Sequence, residues 1–227
     1  MSTIAHSSRN KSKRRIFIVE DHPVTREGFA QLLNYQADLQ VCGQADTVAK
    51  ARVGIATSKP DLVIVDIALG NTNGLELIKD IKTLHPSLPV LVLSTYDEAL
   101  YAERSLRAGA RGYVMKQAPT SEVMEAIRRV LAGNLHLSEA ARARFVHKHL
   151  HDDIPHGGSE LDALTDRELE VFRRIGAGCT TRQIAQEMHL SVSTVETYRA
   201  HIKEKLGLEN AAELIRCAVE WTDLPPR

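Results

Sequence analysis

Five side chains of complementary chemistry stand at the carboxyl ends of short apolar runs. Glu20 and Asp21 follow Ile16-Phe17-Ile18-Val19, Asp66 follows Leu62-Val63-Ile64-Val65, Ser94 follows Val90-Leu91-Val92-Leu93, and Lys116 follows Gly112-Tyr113-Val114-Met115. If the runs are neighbouring strands, three carboxylates converge on one crevice. Like charges that close repel and raise one another's pKa values, so the cluster implies a bound cation or a protonated member. An all-oxygen ligand set suits Mg²⁺. Lys116 adds a fixed cation and Ser94 a hydroxyl. An aspartyl carboxylate is a competent nucleophile when a metal and a lysine neutralise the charge on a transferring group. A single Asp at a strand end is most often a helix cap or turn residue, so the weight lies on the set. His22 has no second His or Cys at ligand spacing and reads as a surface or helix-entry residue.

The elements that must position these groups follow from hydrophobic periodicity. The four continuous apolar runs suit strands buried on both faces of a parallel sheet, and the more alternating Leu39-Gln40-Val41-Cys42-Gly43 suits an edge strand. Between them, Val24 to Tyr35, Thr47 to Ser58, Gly74 to Leu84, Glu98 to Ala108 and Thr120 to Leu131 carry apolar residues at helical spacing. Five β-α repeats with right-handed crossovers give an α/β doubly wound (βα)5 sandwich whose function sits at the carboxyl ends of its strands. After Gly133 the pattern changes to a polar stretch, helical in part from Glu139 to His149, that ends in His156-Gly157-Gly158-Ser159. Four helices then read at Asp166 to Ala177, Thr181 to Met188, Val192 to Leu206 and Ala211 to Trp221, without any strand-like run. The division is a disordered tail over 1–14, an α/β domain over 15–135, a linker over 136–160 and a small all-α four-helix domain over 161–227.

Composition narrows the classes. A chain of 227 residues has room for two modest cores, and 43% hydrophobic with 26% charged residues is ordinary for a globular protein. No apolar run approaches the roughly 20 residues of a membrane span. The polar, basic stretch from Met1 to Arg15 lacks the apolar core of a secretory signal, so a cytoplasmic protein with no membrane partner is expected. Cys42, Cys179 and Cys217 form no CxxC pair and suggest neither a disulfide framework nor zinc. The formal net charge is zero, so a case for DNA rests on local chemistry.

That chemistry is in the helical region. Thr165 with Glu168 three residues on is a capping box that fixes a helix start. The helix through Gln183 to Met188 turns at His189-Leu190-Ser191 into a second that opens Val192-Ser193-Thr194-Val195, the way a helix-turn-helix presents side chains to a major groove. From Leu161 to Thr222 there are eight Lys and Arg against ten Asp and Glu, but positives cluster at Arg182, Arg199, Lys203 and Lys205, with His201 beside them. Modest monomer affinity and a need for dimerisation follow.

Together, Glu20-Asp21, Asp66 followed by Gly74, Ser94, and Tyr113-Val-Met-Lys116 resemble the receiver domain of two-component response regulators, over Arg15 to Gly133. The run Leu164-Thr-x-Arg-Glu, Ile184-Ala, Ser193-Thr194-Val195 and Ile202-x-x-Lys205-Leu206 resembles the LuxR-type helix-turn-helix, and the whole chain resembles the NarL/FixJ subfamily. The resemblance implies that Asp66 is phosphorylated by a sensor histidine kinase. Mg²⁺ would lie on Glu20, Asp21, Asp66 and the backbone carbonyl of Ala68. Lys116 would pair with the phosphoryl oxygens, and Ser94 and Tyr113 would form the switch. It also implies dimerisation on activation and sequence-specific promoter binding in the major groove, with Val192 to Leu206 as the recognition helix. Arg182, Ser193, Thr194, Thr197, Arg199 and Lys203 are its DNA-contacting candidates, with Glu196 and Ala200 on or near the same side. Transcription regulation is then the role, with no enzyme activity beyond autodephosphorylation. Four positions depart from the pattern: Gly70 and Gln117 stand where many receivers have Pro, and Glu196 and Tyr198 where many LuxR-type domains have Lys and His. An aspartyl phosphatase fits less well, since Ile67 and Ala68 supply no second acid. A dinucleotide enzyme lacks its GxGxxG after the first strand.

Overall fold

The computed structural model describes residues 13–69, 72–150 and 160–223. Most of the expected N-terminal tail, Gly70, and His156-Gly157-Gly158-Ser159 lie outside the described residues.

The α/β domain runs β1 (Arg14–Val19), α1 (Pro23–Asn34), β2 (Leu39–Ala45), α2 (Val48–Ser58), β3 (Leu62–Val65), a short hairpin of β4 (Ala68–Leu69) and β5 (Thr72–Asn73), α3 (Gly74–Leu84), β6 (Val90–Ser94), α4 (Glu98–Ala108), β7 (Gly112–Met115) and α5 (Thr120–Leu131). The five-stranded sheet is parallel throughout, in the order β2-β1-β3-β6-β7. Strand side chains alternate between faces. Ile16, Ile18, Leu62, Ile64, Leu91 and Leu93 pack on one side with residues of α1 and α5. Phe17, Val19, Val63, Val65 and Val92 pack on the other with α2, α3 and α4. Burial of both faces explains why the sequence shows continuous apolar runs there.

Beyond α5 the chain departs from the expected linker. His136 bridges Gly112 in parallel, its N–H donating to Arg111 O and its carbonyl accepting from Tyr113 N, both at 3.0 Å. It thereby covers the open edge of β7. Leu137 and Ala141 are buried, and the Ser138 N–H donates to Glu98, so the start of α6 (Glu139–Leu150) is part of the α/β domain. A 3-10 turn (Glu160–Ala163) leads into α7 (Asp166–Gly176), α8 (Thr181–Glu187), α9 (Val192–Lys205) and α10 (Ala211–Asp223). Thr165 and Thr180 form capping boxes with Glu168 and Gln183, and the Ser191 side chain caps α9. Gly178 and Gly207, in the left-handed region at φ +80 and +65, take the chain out of α7 and α9.

Candidate functional site

Asp66 sits just past the carboxyl end of β3, where its N–H donates to Val19 O at the end of β1, so the acidic ends of the two strands meet. Lys116 Nζ reaches across the sheet and lies 2.7 Å from Asp66 Oδ2 and 2.5 Å from Glu20 Oε2. The other Asp66 oxygen accepts from the Ala68 N–H at 3.1 Å. Glu20, Asp21, His22 and Asp66 each offer a ligand atom within 4.8 Å of the others. His22, at the N-cap of α1, lies 3.1 Å from Glu20 Oε1 and 2.8 Å from Asp21 Oδ1. The latter approach is off the line of a hydrogen bond, and Asp21 Oδ1 is buried without a hydrogen-bond partner. A carboxylate set with one orphaned buried oxygen fits a hard divalent cation such as Mg²⁺. Burial pushes the Asp66 carboxyl above the usual carboxylate range, against the opposing pull of Lys116 and with a push from Glu20. Burial lowers Lys116, but Asp66 and Glu20 outweigh it and hold the ammonium above its ordinary value.

Ser94 is fully buried at the end of β6, and its hydroxyl accepts from Tyr96 N at 3.3 Å. The Tyr113 ring points inward, with its hydroxyl donating to Tyr96 O at 2.6 Å. Tyr96 is therefore tied both to the residue beside the acidic site and to the ring expected to switch. Its outer face carries the Arg173 guanidinium of α7, 3.8 Å from the ring centroid. Arg104 of α4 is buried, donating to the carbonyls of Leu161 and Leu164 at 2.8 Å each and to Asp166 at 3.2 Å. Lys79 of α3 reaches the same Asp166 at 3.2 Å. Their charge would place Lys79, Arg104 and Arg173 in solvent, although Arg104 stands at the helical spacing of the buried Tyr101 and Ala108.

On α9, Val195 and Ile202 are buried, while Ser193, Glu196, Thr197 and Ala200 form the exposed stripe. Thr194 and Lys203 lie at its margins, and Arg182 is exposed on α8. Arg199 is less outward than the sequence suggests: its side chain is 14% exposed and pairs with Glu196 at 3.7 Å. Lys205 does not join the basic cluster, because its ammonium lies 2.7 Å from the buried Glu168 carboxylate. Burial alone would raise Glu168, but Lys205 and the Thr165 amide and hydroxyl outweigh it and bring the carboxyl down. A lowered pKa adds stability that is fully present above the ordinary value of 4.5 and is lost as pH falls below it through the lowered one. Lys205→Ala is accordingly expected to destabilise the helical domain by about 1–3 kcal/mol at pH 7. The deficit should shrink near pH 4, as thermal melts at the two pH values will show.

Residues 16–128 match the response regulator receiver domain family, and residues 162–218 match the bacterial regulatory proteins of the luxR family. The oxygen regulatory protein NreC of Staphylococcus haemolyticus is 32% identical over 210 residues, 91% of this chain and 97% of that protein. The crystal structure of the response regulator ChrA, from a haem-sensing two-component system, is 29% identical and matches 92% of this chain and 98% of that one with a TM-score of 0.51. RcsB of Salmonella enterica serovar Typhimurium, solved on the rprA promoter with a phosphomimetic, shares the fold at 22% identity, with a TM-score of 0.62 over 91% of this chain and 98% of that one. Among the described residues no helix is long and apolar enough to cross a membrane. With its acidic site at the strand ends and its capped helix-turn-helix, the chain belongs to the two-component response regulators of NarL/FixJ type, transcription regulators that join a receiver domain to a LuxR-type DNA-binding domain.

Proposed function

We propose that a sensor histidine kinase phosphorylates Asp66, and that the phosphoryl group controls dimerisation and sequence-specific promoter binding in the cytoplasm. The observation that carries this is the Asp66 carboxylate fixed between Lys116 Nζ and the Ala68 N–H beside Glu20 and Asp21. Glu20, Asp21, Asp66 and the Ala68 carbonyl would hold Mg²⁺, which when bound neutralises charge on the transferring group. Asp66 attacks phosphorus, the donor imidazole leaves, and Lys116 turns from Glu20 and Asp66 to the new phosphoryl oxygens. The chain acts as a phosphoacceptor with no enzyme activity beyond hydrolysis of its own acyl phosphate.

The route to the DNA-binding domain runs through Tyr96. A phosphoryl oxygen that draws the Ser94 hydroxyl toward Asp66 removes the acceptor of the Tyr96 N–H and disturbs the loop on which Arg173 rests. The docked arrangement leaves Ser193, Glu196, Thr197 and Ala200 exposed, so the receiver restrains the orientation and pairing of the DNA-binding domain and does not cover its reading face. Phosphorylation shifts the docked population only as far as the two states differ in these contacts.

The test is the affinity of the full chain for promoter DNA, with oligomeric state, before and after treatment with a small phosphodonor and Mg²⁺. Tighter binding and dimerisation after treatment are expected. Arg104→Ala, which strips a buried guanidinium from two carbonyls and Asp166, should move the untreated protein at least tenfold toward the affinity of the treated one. Equal affinity and equal oligomeric state in all these samples would remove control by the receiver.

A further inference from the structure

The exposed stripe of α9 has an unusual composition for a surface that approaches phosphates. Over its first two turns, where a recognition helix contacts base edges, the hydroxyls are engaged locally. Ser193 Oγ lies 2.7 Å from Ser191 Oγ, which in turn lies 2.7 Å from Thr194 Oγ1 and accepts from Thr194 N at 3.0 Å. Thr197 Oγ1 donates its proton to Ser193 O at 3.0 Å. The group left projecting with full hydrogen-bonding capacity is the Glu196 carboxylate, whose side chain is 58% exposed. It is an acceptor only. Its ionic partner, Arg199, stands one turn on at 3.7 Å, too long for a hydrogen bond, so the carboxylate oxygens remain available.

An acceptor-only group in a major groove has few partners. Guanine presents two acceptors and thymine an acceptor and a methyl, and both repel or ignore a carboxylate. Adenine offers its N6 amino group beside the N7 acceptor, which repels the second carboxylate oxygen. Cytosine presents the N4 amino donor without an adjacent acceptor. We propose that Glu196 is a specificity-determining residue that selects a C·G pair in each half-site, its carboxylate accepting from cytosine N4 while Arg199 offsets the repulsion of the phosphates. This deepens the DNA-binding reading and rests on it. A carboxylate on the reading face lowers affinity for every sequence and restores it where the donor is present.

The two effects of Glu196 have opposite signs, and this separates base reading from a surface ion pair. The full chain, treated with a small phosphodonor and Mg²⁺, is taken through selection from random duplexes. The selected site and its single-pair variants are then titrated. The wild type should require C at one position of each half-site. Glu196→Ala should lose discrimination at that pair alone, by about 5- to 150-fold. It should also bind non-specific DNA more tightly, because a repulsive charge is gone. Glu196→Gln, which carries a donor and an acceptor, should move the preference at that pair from C toward A. Unchanged base preference in both variants overturns the proposal. So does a rise in affinity that is uniform across sequences, which leaves Glu196 as a repulsive charge only. If the wild type itself enriches no sequence, the DNA-binding reading has failed, and that outcome is distinct from a failure of Glu196 within a protein that selects a site.

Discussion

Asp66→Asn is expected to abolish incorporation of a phosphoryl group from a small donor in the presence of Mg²⁺, with no loss of fold. The amide keeps an oxygen for the Ala68 N–H, and Lys116 keeps Glu20 at 2.5 Å, so the strand ends remain tied. Asparagine lacks the charged nucleophile; Glu20 also carries Lys116 on one oxygen and a backbone N–H, that of His22, on the other, so labelling that moved to it would show in the variant. The variant should also melt close to the wild type. Burial raises the Asp66 carboxyl, so stability from this group is present below its ordinary value of 3.8 and is lost as pH rises through the raised one. Lys116, held above its ordinary value by Asp66 and Glu20, contributes with the opposite sign at neutral pH, and in the variant it keeps Glu20. Intact-mass spectrometry after phosphodonor treatment, paired with a thermal melt, checks both halves. Persistent labelling would place the acceptor elsewhere.

Gly74→Ala should damage the same site through the backbone. Gly74 opens α3 with its N–H on Ile67 O at 2.9 Å, and a Cβ there would stand 2.2 Å from the Asp66 carbonyl oxygen and 2.8 Å from Ile67 Cα. Backbone on both sides cannot yield as a flexible side chain would. The segment carrying Asp66 must move, or α3 must start later. Overpacking of this kind costs about 3 kcal/mol. For a receiver-sized domain that is a fall in melting temperature of about 10 °C. Because the displaced segment holds the nucleophile, phosphorylation of the variant that remains folded should slow as well. Calorimetry and labelling rates measure the two effects. A wild-type melting temperature would show that the β3 to α3 connection tolerates a side chain.

Much of this protein is local and therefore legible in its sequence. Continuous β-branched runs such as Leu62 to Val65 announce strands covered on both faces, and the Thr165 and Glu168 capping box fixes the start of α7, because periodicity and caps act within one turn or one pleat. The acidic site was legible too, since a parallel sheet brings the residues that follow its strands to one edge. What no local pattern could give are contacts made by residues that look solvated. Arg104 and Arg173 read as solvated by their charge until the Leu161 and Leu164 carbonyls and the Tyr96 ring are brought against them. His136 read as linker until the open edge of β7 offered a backbone partner. Lys205 belonged to a basic cluster by sequence and to Glu168 by packing, as a buried carboxylate holds a cation more firmly than solvent does. The sequence determined which chemistry stands at the strand ends, and tertiary structure alone decided which charges face solvent and which join the two domains, because desolvation is a property of what packs around a residue and not of its neighbours in the chain.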